Sequence, residues 1–192
     1  MITNTHILIS NIIYNYCLKK LNIKLNKWNF AYGNIKPDFV KDKSKHCHCI
    51  NESINIVREY SQQLIDNKMS IKKYSITLGM ICHFICDYFC LYHTERYKNK
   101  NLFQHLIYEI SLHFIFIKLL ICGQLKIIIN ENISKKDITS VITDMYEKYD
   151  KENKSFMNDI IYAISAAIMV TESIVNRECF KYNYSGNNKM IS

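Results

Sequence analysis

The chain has 192 residues, of which 48% are hydrophobic, so it can bury the core of one domain and is too apolar to be disordered. It contains only 4 Gly and 1 Pro, too few turn residues for a β-sandwich or barrel, and it lacks the glycine-rich phosphate loops of nucleotide-binding folds. The formal net charge of +8 favours an anionic partner such as a phosphate ester, an acidic membrane surface or nucleic acid, although solvated surface lysines explain the same excess.

Hydrophobic periodicity predicts an all-α fold, a single-domain bundle of about six main helices. The first helix is predicted over residues 3–21, whereas residues 22–48, which hold the only proline, Pro37, are predicted to be irregular. The other helices are predicted over 50–67, 71–92, 101–125, 134–149 and 155–177. The helical domain is expected to span residues 1–182, followed by a flexible tail over 183–192.

The start of the chain lacks the basic region and small-residue cleavage site of a secretory signal, so we expect a cytoplasmic protein with reduced cysteines. Cys82, Cys86 and Cys90 recur every four residues, and such a stripe is more often core packing than a metal site. No transmembrane span is predicted, because charged and polar residues interrupt the apolar stretches 106–122 and 160–174.

Three histidines and two acidic residues between positions 83 and 109 form a pattern that can ligate a metal. His83 and Asp87 are four residues apart, which places both on one face of a helix. His105 and Glu109 repeat this spacing, and His93 lies between the two pairs. One such pair arises often by chance on a helix face. Two pairs joined by a further histidine, set in apolar runs, favour a metal site because buried ionisable groups are costly unless paired or metal-bound.

This pattern of HxxxD, five residues, His and then HxxxE resembles the bacterial zinc-dependent phospholipase C family. That family includes secreted phosphatidylcholine-hydrolysing enzymes and the catalytic domain of alpha-toxin. Its other motifs have counterparts here in order: His6 on the first helix, the segment Pro37-Asp38, and His48 before the second predicted helix. The resemblance covers residues 1–115 and implies an all-α bundle around three zinc ions, a fold shared with single-strand-specific zinc nucleases.

Carried over position by position, the resemblance implies three zinc sites with imidazole and carboxylate ligands, which zinc prefers. The first site has the ligands Asp38, His48 and His83. The second has His6 together with the amine and carbonyl of Met1, and Asp87 bridges the first two sites. The third has His93, His105 and Glu109.

Some of these positions have alternatives. His46 is a rival of His48, because the gap after Asp38 is shorter than in the secreted enzymes. Those enzymes begin with a tryptophan whose amine binds zinc, and Met1 is expected to supply that amine here. His113 lies on the same helical stripe as Glu109 but is interpreted as an ordinary core or surface imidazole.

The resemblance implies a phospholipase C that releases diacylglycerol and a phosphorylated head group, with a zinc-bridged hydroxide as nucleophile and Asp38 as its orienting group or base. Phe39 either contacts a choline ammonium by a cation–π interaction or packs in its loop. The expected partners are a phospholipid or other phosphodiester and a membrane surface contacted peripherally, with no nucleic acid.

Two other functions stay open. A single-strand nuclease or other phosphodiesterase could use the same scaffold, and it would need an aromatic platform and a basic groove. A zinc-stabilised helical binding domain without turnover is the second alternative, although structural zinc sites usually close with four protein ligands.

Overall fold

The computed structural model describes residues 1–39, 49–94, 97, 101–128 and 137–187, with side chains up to residue 177. Every regular element in these ranges is helical, which confirms the predicted all-α fold. The helices are α1 (Thr3–Lys19), α2 (Lys27–Phe39), α3 (Ile50–Asp66), α4 (Ile71–Tyr88), α5 (Leu102–Ile121), α6 (Ile138–Lys151) and α7 (Phe156–Asn187), and a 3₁₀ turn lies at Leu91–His93.

The prediction of an irregular segment over 22–48 holds for residues 22–26 but is wrong over residues 27–39. Lys27–Phe39 forms α2, which raises the number of α-helices in the described ranges from the predicted six to seven. Pro37 lies inside this helix. Because proline has no N–H, it removes one helical hydrogen bond, but here the helix ends only two residues later and the loss is confined to its last turn.

Two glycines let α2 cross α4 with their backbones in contact. A Cβ atom on Gly33 would collide with the carbonyl oxygen of Ile76, and one on Gly79 would collide with that of Phe30. Both glycines therefore serve close helix packing. This crossing fixes the carboxyl-terminal half of α2, which holds Asp38, against the middle of α4, which holds His83.

Several predicted helix ends move by a few residues. Helix α4 stops at Tyr88, and a 3₁₀ turn then carries His93. Helix α6 begins at Ile138, four residues later than predicted, because the Asp137 side chain accepts hydrogen bonds from the first-turn amides. Helix α7 continues past position 177 to Asn187.

Although the sequence predicts no transmembrane span, two helices have the length and composition of one. Each has a mean hydropathy of 1.3 over its most apolar window. In α7, 83% of that window is buried, as expected for the central helix of a packed bundle. In α5 only 17% is buried, so this helix exposes much of its apolar surface.

Candidate metal centre

The nitrogen of Met1 lies inside the bundle. It is 2.6 Å from Oδ1 of Asp87 and 3.0 Å from Oε1 of Glu109. It also lies 3.3 Å from Nε2 of His93. Met1 is only 4% exposed, and the helix that follows it, α1, places His6 with Nε2 3.2 Å from the same Asp87 oxygen.

Helix α4 supplies His83 and Asp87, both fully buried. Their side chains meet on one face, as the four-residue spacing predicts, with His83 Nε2 3.4 Å from Asp87 Oδ2. Nδ1 of His83 lies 2.8 Å from the carbonyl oxygen of Asn34. This backbone acceptor makes Nδ1 the protonated nitrogen, so Nε2 has its lone pair directed at Asp87 and at Asp38, whose Oδ1 is 3.6 Å away.

His93 projects from the 3₁₀ turn after α4, and two hydrogen bonds hold this turn. The Cys49 thiol donates to the carbonyl oxygen of His93 over 2.7 Å. The amide of Leu91 donates to Oδ2 of the buried Asp159 over 2.9 Å. Nδ1 of the His93 ring is 3.6 Å from Asp87 Oδ2, and its Nε2 faces α5.

Helix α5 completes the cluster with His105 and Glu109, one turn apart. Nε2 of His105 is 2.9 Å from Oε1 of Glu109 and 3.0 Å from Nε2 of His93. The same Glu109 oxygen lies 2.8 Å from His93 Nε2. Two imidazole nitrogens and one amine nitrogen thus surround a single carboxylate oxygen, a set that needs protons or a cation between its members.

Two observations indicate that these residues could bind zinc: the distances between their ligand atoms, and a buried histidine whose ring nitrogens lack a hydrogen-bond partner among the described residues. Nitrogen and oxygen ligands of a tetrahedral zinc ion lie about 3.3 Å from one another, and the contacts above run from 2.6 to 3.6 Å. His6 is fully buried, yet neither ring nitrogen makes a hydrogen bond of acceptable geometry within the described part of the chain. A buried imidazole without such a partner is expensive, and a metal ion between His6, His83 and Asp87, whose ligand atoms lie within 4.8 Å of one another, would satisfy it.

Charges in the cluster are strongly coupled. Burial opposes ionisation of Asp87 and Glu109, but the Met1 ammonium and the neighbouring imidazoles hold the pKa of both carboxyl groups well below their ordinary values. Burial likewise opposes the charge on Met1, yet the attraction of Asp87 raises the pKa of this amine to about 12. Burial and the nearby ammonium lower the pKa of His93 to about 4. Neutral imidazole and ionised carboxylate are the forms that bind zinc.

Eight of the nine residues predicted as ligands are described, and all eight lie in this cluster. They are Met1, His6, Asp38, His83, Asp87, His93, His105 and Glu109. The ninth, His48, and its rival His46 lie outside the described residues. His113 points elsewhere, with Nδ1 3.0 Å from the Thr5 hydroxyl. Phe39 is the last residue of α2 and is 67% exposed.

The sequence did not reveal three residues that support the cluster. The Asn34 carbonyl orients His83, and Asp159 holds the turn of His93 while accepting hydrogen bonds from the hydroxyls of Tyr108 and Tyr149, each over 2.8 Å. Cys90 is buried with its sulfur within 4.8 Å of the His93 and Glu109 ligand atoms. Of these supporting residues, only Asp159 is marked in the sequence as unusual, because this acidic residue directly precedes the apolar run of α7.

The family model of zinc dependent phospholipase C matches residues 5–156 of this chain. The match covers most of the sequence and includes every candidate ligand except Met1. The chain therefore belongs to the zinc dependent phospholipase C family. No curated protein and no solved structure matches it significantly.

Proposed function

We propose that this chain is a zinc-dependent phosphodiesterase of the phospholipase C type, which cleaves a phospholipid into diacylglycerol and a phosphorylated head group. The observation that carries the proposal is the convergence of ligand-type groups from α1, α2, α4, the 3₁₀ turn and α5 on one buried cluster. Membership of the family supports the same reaction class.

Three zinc ions are proposed for the cluster. Asp38 and His83 would hold one, with His48 or His46 as a further ligand. His6 and the Met1 amine would hold the second, and Asp87 would serve both, since its Oδ1 lies near His6 and its Oδ2 lies near His83. The third is assigned to His93, His105 and Glu109, whose ligand atoms lie within 3.0 Å of one another.

Zinc supplies Lewis acidity, which lowers the pKa of a coordinated water and stabilises charge on a phosphoryl group. The roles of the protein residues follow from how far each side chain is exposed. Asp87 and His83 are fully buried and hold geometry. Asp38 is 25% exposed at the rim, where its carboxylate can orient an attacking water and accept its proton.

The exposed rim of the cluster is also where a substrate can enter. His105 is 30% exposed, more than Asp38, His93 or Glu109. Phe39 follows Asp38 directly and stands free of the core. We therefore assign the head group to the side of Phe39, whose ring can contact a quaternary ammonium.

Zinc content and substrate choice together test this proposal. The chain with Met1 as its first residue is analysed by mass spectrometry for metals. It is then assayed side by side on phosphatidylcholine, phosphatidylethanolamine and single-stranded DNA. We expect close to three zinc ions per chain and release of phosphorylated head group.

His105→Ala and His113→Ala form a matched pair, since both remove an imidazole from α5. The first should lose about one zinc and most of the activity, and the second neither. Hydrolysis of DNA without hydrolysis of lipid would instead identify a nuclease. One zinc or none in the unaltered chain would reject the trinuclear centre.

A further inference from the structure

Helix α5 has two faces with different partners. Its inner face holds His105 and Glu109 in the metal centre and buries Leu112, Phe116 and Leu119 in the core. Its outer face carries large apolar side chains that are solvent-exposed. These form what we call the outer stripe: Phe103, Leu106, Ile107, Ile110, Phe114 and Ile121, all exposed.

The outer stripe runs along one side of α5, with one longer gap between Phe114 and Ile121. Its members recur every three or four residues over most of their length, which aligns them on one side of a helix. From Phe103 to Ile121 the stripe runs for about 27 Å at the helical rise per residue. Phe103 and Phe114 are 66% and 65% exposed, and Ile121 is 81% exposed. Soluble surfaces rarely show so long an apolar ridge unless it meets a partner or a membrane.

We propose that the outer stripe is a membrane-docking surface, on which α5 lies in the interface of a phospholipid bilayer. This inference rests on the proposed function, because it presents the metal centre to its lipid substrate. A helix with apolar side chains on one face inserts that face to the level of the boundary between head groups and acyl chains.

The charges around the stripe suit a lipid surface better than a second copy of the chain. In the segment 101–128 the charged residues are Glu109, Lys118 and Lys126. Glu109 is turned into the metal centre and is only 12% exposed, whereas both lysines are exposed. The exposed surface of α5 is therefore apolar with a single charged side chain, Lys118, and the whole chain has a net charge of +8. Two copies would repel each other, while anionic lipid would attract either one.

The position of the metal centre agrees with this orientation. Its most exposed described ligand, the half-buried His105, lies in the first turns of α5, next in sequence to Leu102, Phe103 and Leu106, which are 81%, 66% and 48% exposed. Docking of the stripe would bring lipid head groups to the rim of the cluster.

The test measures how much of the zinc-loaded chain sediments with vesicles, either of phosphatidylcholine alone or of phosphatidylcholine mixed with phosphatidylglycerol. The variant Ile107→Gln/Phe114→Gln removes two members of the stripe. Its control, Ile71→Gln/Trp28→Gln, removes two exposed apolar side chains from other helices: Ile71 and Ile107 are 49% and 48% exposed, and Trp28 is 83% exposed. We expect the stripe variant to bind at least about tenfold more weakly, and the control to bind normally. We also expect tighter binding to the anionic vesicles.

Hydrolysis of a short-chain phosphatidylcholine dissolved as monomers separates this inference from the proposed function. The stripe variant should hydrolyse the monomers normally and lose activity only on vesicles. A chain that binds vesicles through the stripe but hydrolyses neither lipid would reject the proposed function and keep the docking surface.

Three outcomes would overturn the docking surface. Equal loss of vesicle binding in both variants would show that the stripe is not special. A concentration-dependent dimer that the stripe variant abolishes would identify a second copy as the partner. A large drop in melting temperature of the stripe variant, without vesicle binding by the unaltered chain, would mean that another part of the same chain covers α5.

Discussion

The nitrogen of Met1 stands 2.6 Å from Oδ1 of Asp87, although 86 residues separate them in the chain. Both are buried. This contact links the start of α1 to the end of α4, and it places an amine beside His93 and Glu109 as well. The contact thus brings a backbone nitrogen, and not only side chains, into the cluster.

Extending the chain before Met1 tests the role of this amine. A Gly-Ser pair ahead of Met1 turns the amine into an amide, which has no lone pair for zinc, and Met1 at 4% exposure leaves no room for added residues. We predict about one zinc fewer per chain and a loss of activity of more than about a hundredfold. The control places the same pair after the last residue, and metal content is read by mass spectrometry. Unchanged zinc in the extended chain would contradict this role.

Asp87 faces two imidazoles with different oxygens, so its loss should affect two metal ions. Asp87→Asn removes the charge and one strong ligand oxygen while keeping the shape of the side chain. We predict that the variant binds at least one zinc fewer than Glu109→Ala, which should lose about one. Asp66→Asn, at an exposed position on α3, controls for the change from acid to amide. If Asp87→Asn loses one ion or none, Asp87 does not bridge.

Four of the ligands were predictable from the sequence because they occur at helical spacings, whereas Met1, His6 and Asp38 were expected only from the resemblance to a known family. His83 with Asp87 and His105 with Glu109 each need only one turn of helix to meet, and helix is a local property. Helix α2 was not predictable in this way. Gly33 and Pro37 both indicate a loop locally, and their compatibility with a helix depends on the crossing with Gly79 and on the nearby helix end. Asp159 likewise acquires its role only from partners on three other elements.

Gly79 should therefore be essential for placing α2. Gly79→Ala puts a methyl group against the Phe30 carbonyl oxygen and the backbone of Gly33, which forces the helices apart and moves Asp38 and the Asn34 carbonyl away from His83. We predict a loss of about 1–3 kcal/mol of unfolding free energy together with weaker zinc binding.

Gly123→Ala is the control for this substitution. Gly123 has φ +63° and no neighbouring atom within 4 Å of an added Cβ. That variant should cost only about 1 kcal/mol of backbone strain and should keep its zinc. Equal zinc content in both variants, measured at equal folded fraction, would show that the crossing does not position the ligands.

The stability of the metal-free chain should pass through a maximum near neutral pH. The pKa of His93 is lowered from 6.5 to about 4, so between these values the unfolded chain binds more protons and stability rises with pH. The pKa of Met1 is raised from 8.0 to about 12, so above pH 8 the folded chain binds more protons and stability falls. We predict the highest melting temperature between pH 6.5 and 8 in the presence of a chelator. A melting temperature that climbs steadily from pH 8 to 10 would contradict the buried ammonium.

Asp159 should be the most costly single carboxylate to remove outside the metal cluster. Asp159→Ala leaves the Leu91 amide and the hydroxyls of Tyr108 and Tyr149 without their acceptor, and each buried unsatisfied group costs about 1–3 kcal/mol. We predict a loss of about 3–5 kcal/mol in urea unfolding, against about 1 kcal/mol for Tyr149→Phe, which removes a single partner. Because the Leu91 amide anchors the turn of His93, Asp159→Asn, which keeps an acceptor oxygen, should retain zinc better than Asp159→Ala at equal folded fraction. If both variants retain all their zinc, Asp159 stabilises the bundle without positioning His93.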